Sequence, residues 1–120
     1  DASFTNTYWR IDALDGDTLT AQDGLREPHV VFRDEDGGRY SATVGCNQIN
    51  GGFELGVDGG LTLGAGAMTM MACPPPLDGW ERQLVDVMGR TASRRIVGPT
   101  LVFEDADGAV IARFEAVYLP

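Results

Sequence analysis

The stretch Gly45–Pro76, GCNQINGGFELGVDGGLTLGAGAMTMMACPPP, limits the folds open to this chain more than any other. It holds both cysteines, many of the glycines and three of the four methionines. Tyr40–Val44 alternates and leads into it as a strand. Gly51-Gly52 then permits a turn with positive φ. Phe53, Leu55 and Val57 alternate with Glu54, Gly56 and Asp58, which predicts a further strand. Asp58-Gly59-Gly60 is a hairpin signal, and Leu61-Thr62-Leu63 resumes the extended pattern. Pro74-Pro75-Pro76 stops the run, because three prolines fit neither a sheet interior nor a helix interior.

The flanking segments supply the rest of a sheet and one helix. Tyr8–Leu14 sets Trp9, Ile11 and Ala13 against Tyr8, Arg10 and Asp12, the alternation of a half-buried strand. Pro28 opens a second run in which Val30 and Phe32 face the core, and the acidic loop Asp34–Gly38 joins it to Tyr40–Val44. Leu77 to about Arg90 reads as a helix, with Leu77, Trp80, Leu84, Val87 and Met88 on one apolar face. Asp78 is placed to cap it, with Glu81 closing a capping box, and Gly89 marks a fraying end. Burying Trp80 contributes roughly 2–3 kcal/mol by area. A lone helix of this length is marginal in water, so it must dock on the sheet. Arg95–Val97 is a short strand, and Leu101–Glu104 with Ala109–Val117 forms a hairpin around Asp105–Gly108. Strands, one helix and more strands predict an α+β fold: a mainly antiparallel, curved, barrel-like sheet with one amphipathic helix packed on it. The 120 residues suit a single domain over 1–120.

Charge narrows the partners. Acidic residues outnumber basic ones 18 to 9, every basic residue is arginine, and the net charge is −9. Such a surface repels phosphate backbones, so no nucleic-acid partner is expected, and anionic membrane surfaces attract it little. No apolar run approaches the ~20 residues that span a bilayer. Asp1 opens a polar segment with no signal peptide, which fits either a cytosolic protein or a mature, trimmed form.

The motif G-C-N-x-x-x-G-x-F at Gly45–Phe53, a short hairpin, and Met68-Thr69-Met70-Met71-Ala72-Cys73 before an amphipathic helix together resemble the META domain of the HslJ-like family. The opening Thr7-Tyr8-Trp9-Arg10-Ile11 and the closing Arg113–Leu119 are similar to that family's ends, so the resemblance covers nearly the whole chain. Where many relatives carry a basic residue, this chain has Met70. The resemblance marks Gly45, Asn47 and Gly51 in the first motif, Met68, Thr69 and Ala72 in the second, and Trp80 on the helix as structural positions. Asn47 is expected to shape the turn after its strand, and Thr69 to satisfy nearby backbone groups. The resemblance also implies a bacterial envelope protein, periplasmic or outer-membrane-anchored, often a lipoprotein tethered through an N-terminal lipid that this sequence lacks. It implies a stress or drug-tolerance link with no established chemistry. A monomer contacting an unknown protein or envelope component is the leading expectation, and a binder of a small apolar ligand or lipid is the alternative. An enzyme comes third.

For an exported domain, Cys46 and Cys73 read as a disulfide. Two reduced, buried cysteines are the alternative in a cytosolic protein. No C-x-x-C is present, and a structural zinc site needs four ligands where this chain has His29 as its single histidine, so metal binding through these cysteines is not expected. Met68, Met70 and Met71 suggest soft-metal ligands, but methionine is also a core filler and strand alternation would split the set. Asp34–Gly37 and Asp105–Gly108 lack the twelfth-position glutamate of an EF-hand and read as acidic turns. No cofactor, metal or catalytic motif is therefore assigned. Ser3, Ser41 and Ser93 have only His29 as a potential histidine base, and nothing in the sequence places them together.

Overall fold

The computed structural model describes residues 1–118; Leu119, the last residue of the closing family-like motif, lies outside them. The chain runs β1 (Tyr8–Leu14), β2 (Asp17–Thr18), β3 (His29–Arg33), β4 (Arg39–Thr43), β5 (Gln48–Leu55), β6 (Leu61–Leu63), β7 (Ala67–Met68), α1 (Leu77–Arg90), β8 (Ser93–Val97), β9 (Thr100–Glu104) and β10 (Val110–Val117). The strands form one antiparallel sheet in the order β6-β5-β4-β3-β1-β10-β9-β8, with β2 on β1 and β7 on β5. The two outer strands approach each other: Gly60 bridges Ser93, and Leu61 N–H donates to Ala92 O at 3.0 Å. The result is a nearly closed barrel with one α-helix among the described residues laid over it.

Two strands depart from simple alternation. In β1 the register against β10 shifts between Ile11 and Ala13. This bulge exchanges the faces, so Leu14 is buried where alternation places Ala13 inward. In β10 a shift between Val110 and Ala112 lets Ile111 and Ala112 both be buried. The expected turn at Gly51-Gly52 is instead the middle of β5. Gly51 is required because a Cβ there would stand 2.5 Å from the Tyr40 hydroxyl oxygen and 2.6 Å from its ring. The strand predicted over Phe53–Asp58 ends at Leu55. Val57–Gly59 is a helical turn with Asp58 at φ 53°, which leaves Leu55 and Val57 exposed.

The core holds Trp9, Ile11 and Leu14 of β1, Phe32 of β3, Phe103 of β9 and Phe114 of β10, all essentially fully buried. Phe4 stacks on Phe32 at 4.2 Å between ring centroids, and Trp9 Nε1–H donates to Phe4 O at 3.0 Å. Helix α1 adds Leu77, Leu84, Val87 and Met88 to the same cluster. Its N-terminus corrects the expected capping box: Pro76 is the N-cap, and Asp78 accepts only from the adjacent Gly79 N–H. At the other end Gly89 stays helical, and Thr91 Oγ1 donates to Val87 O at 2.8 Å.

Trp80 is half-buried and packs against the cluster's edge. The penalty for its removal is accordingly lower than full burial implies. In urea titrations Trp9→Ala is expected to lose about 3–5 kcal/mol and Trp80→Ala roughly half of that. Equal losses would contradict this placement of the two indoles.

Candidate functional site

The Gly45–Pro76 stretch is tied down at one buried side chain. After β4, Thr43 Oγ1 accepts from Gly45 N–H at 2.9 Å and donates to Asn47 O at 2.7 Å, which closes a turn. Gly45 sits at φ 119°, and a Cβ there would lie 2.8 Å from Arg26 O. The turn aims Asn47 inward, leaving it 3% exposed. Its Nδ2 group donates to Met71 O at 3.0 Å and Glu81 Oε2 at 3.0 Å, with Cys73 Sγ at 3.2 Å. Its Oδ1 accepts from Thr69 Oγ1 at 2.9 Å and Met71 N–H at 2.8 Å. Its backbone N–H donates to Glu81 Oε1 at 3.2 Å. Thr69 Oγ1 also accepts from Gln48 N–H at 3.0 Å.

Cys46 and Cys73 are disulfide-bonded, with 6.0 Å between their Cα atoms. A disulfide sulfur carries no proton, so Cys73 Sγ serves only as an acceptor. Thus segment 69–76, which has no ladder of its own, is a strap pinned by one asparagine, one threonine and one disulfide. Glu81 is the functional-looking residue that sequence reasoning assigned elsewhere. Its signal was there: it is a carboxylate next to the Leu77/Trp80/Leu84 stripe, and a part-buried charge needs a partner.

A cleft of about 320 Å³ opens beside the start of the strap. Tyr40, Ile49, Leu63 and Met68 line it from the strands, and Val85 and Met88 from α1. The Tyr40 hydroxyl donates to Gly64 O at 2.8 Å, and burial raises its pKa. Gly66 fits only as glycine, since a Cβ would lie 2.7 Å from Asn50 O and 2.9 Å from the Tyr40 hydroxyl oxygen. Of the motif residues, Asn47 and Thr69 meet in the strap anchor, Gly51 lies under Tyr40, and Met68 faces the cleft. Ala72 is exposed, and nothing in the structure explains its place in the motif. Met70 and Met71 are 85% and 59% exposed.

The remaining candidates are dispersed. His29 stacks on Tyr8 at 4.5 Å, and its Nδ1 lies 2.8 Å from Glu27 O. Burial, with a hydrogen bond to Glu27, pushes Tyr8 up to about 12. The three serines bond to other groups: Ser3 to Thr5 O, Ser41 to Gln48 and Ser93 to Glu104. Asp105 Oδ1 accepts from Asp107 and Ala109 N–H groups, the bonding of an acidic turn. Among the described residues no three histidine, cysteine or acidic side chains converge on one point.

A family model described as the META domain matches residues 2–118. The chain belongs to the META domain family. Among solved structures, one NMR structure is 19% identical, covers 93% of this chain and 90% of its own, and gives a TM-score of 0.71. An NMR structure of a protein from Burkholderia xenovorans is 21% identical, covers 97% and 85%, and scores 0.72. A crystal structure of a DUF4847 family protein from Bacteroides vulgatus is 9% identical, covers 98% and 96%, and scores 0.63. At these identities the likeness is one of fold. No curated protein matches in sequence.

Two measurements test the strap anchor. Asn47→Ala strands Met71 N–H and one side of Glu81, and is expected to lose about 2–4 kcal/mol in denaturant titration. A loss under ~1 kcal/mol would show that water replaces the amide freely. The disulfide closes a loop of sequence separation 27. Cys46→Ser with Cys73→Ser is therefore expected to lose about 3.5 kcal/mol on the chain-entropy model, and non-reducing mass spectrometry of the parent should register no free thiol.

Proposed function

We propose that this META domain is a non-catalytic module of the bacterial envelope, periplasmic or tethered to the outer membrane, acting as a monomer. It works by contacting a protein or another envelope component in stress or drug tolerance. The strap carries this reading. It is fastened through backbone atoms and a disulfide, yet it holds Met70 and Met71 out in solvent. Large apolar side chains presented on an ordered segment suit a contact surface, and methionine adapts to varied partners. The disulfide suits an oxidising compartment.

Catalysis finds little support in the titratable groups. The tyrosines with displaced ionisation, Tyr8 and Tyr40, are both moved upward, away from use as bases near neutral pH. The apolar cleft favours a second reading, a small apolar ligand.

The first reading is tested by fractionating cells that express the full-length precursor and by placing a photocrosslinker at position 70 or 107. The expected outcome is recovery in the periplasm or outer membrane, with a discrete adduct from position 70 and none from the exposed turn at 107. Cytosolic recovery with two free thiols would overturn the proposal.

A further inference from the structure

The cleft lies where the barrel stops being a barrel. Strands β6 and β8 meet through the Gly60–Ser93 bridge, the Leu61–Ala92 hydrogen bond and Arg94, whose guanidinium donates to Gly60 O at 3.0 Å. Beyond Leu63 the chain has no strand partner on that side among the described residues. Helix α1 stands across the gap instead, presenting Val85, Met88 and Gly89 to Tyr40, Ile49, Leu63 and Met68.

We infer that this seam cleft is a binding site for one unbranched aliphatic chain with an uncharged head, as in the acyl tail of a neutral lipid. The inference rests on the second, apolar-ligand reading above and is independent of the export reading. Three properties select that ligand. The lining side chains carry no formal charge, and the sole polar one, Tyr40, already donates to Gly64 O. A polar or ionic ligand would therefore lose its hydration without compensation. The volume of about 320 Å³ holds about ten methylenes if each takes roughly the ~30 Å³ share of a water-sized group. The two thioethers, Met68 and Met88, can shift around a flexible chain. The head would remain in solvent, where the net charge of −9 disfavours an anion.

The mouth of the cleft points the same way. Gly89 is helical although glycine weakens a helix relative to alanine. A Cβ added there meets nothing within 4 Å, so no packing demand explains the residue. Gly89 lines the cleft with Val85, which is 48% exposed, and leaves open space there that a larger side chain would occupy.

The test uses the intact protein labelled with ¹³C at the methionine methyls and titrated with 1-decanol. Saturable shifts at Met68 and Met88, with Met70 unmoved, are expected. Gly89→Leu fills the entrance while improving helix propensity, and should weaken binding at least ~10-fold. Val85→Glu, which places a charge at the rim, should do the same. Sodium decanoate should bind at least ~5-fold more weakly than decanol, from charge alone. The proposal is overturned by unmoved Met68 and Met88, by equal movement of Met70, by full binding in both variants, or by equal affinity for decanoate. It also fails if an apolar peptide, and not decanol, moves the cleft methionines. None of these outcomes bears on the export reading, which fractionation decides separately.

Discussion

The side-chain amide of Asn47 bonds to two segments that lie outside the strand ladders: the 69–73 strap, which continues from β7, and helix α1. A carboxamide suits this position because it both donates and accepts. Its oxygen takes protons from Thr69 and Met71, and its nitrogen gives protons to Met71 O and Glu81. Aspartate would lose the donors and set a second carboxylate against Glu81. Each buried side-chain nitrogen or oxygen among the described residues has a partner, so the network is closed and stiff. The neighbouring disulfide acts on the same segment from the unfolded side, by limiting the freedom of the loop it closes.

The strap matters because the barrel is incomplete. An unpaired strand edge exposes hydrogen-bonding groups that invite other strands. Here the edge near β7 is flanked by α1, and the strap sets where that helix begins. The same arrangement leaves an apolar space between helix and edge. Closing the seam with more β6–β8 ladder would remove both the hazard and the cleft.

Local patterns foretold most of the architecture. The limits of β1, the inward Val30 and Phe32, and the extent of α1 were legible because period-2 and period-3.6 alternation arise within one element. Apart from the local turn at Val57–Gly59, which cut short the strand expected over Phe53–Asp58, the misreadings came from contacts distant in sequence. Gly51 looked like a turn residue because only the folded state shows Tyr40 lying against it. The bulge at Asp12 leaves no local trace, since Trp9 and Ile11 alternate normally on one side of it. Glu81 was given to its own helix terminus because its true partner lies 34 residues earlier. The cysteines and Asn47 were named from the motifs. The cleft was not, because its lining comes from four strands and a helix.

The way the strap is fastened separates shape from chemistry. At Met71, Asn47 grips the main-chain oxygen and nitrogen, and it leaves the side chains of Met70 and Met71 without duties in the fold. Positions 70 and 71 can therefore change identity while the path of the backbone stays the same. A domain built this way carries two variable surface positions on a fixed mount, free to change without renegotiating the core.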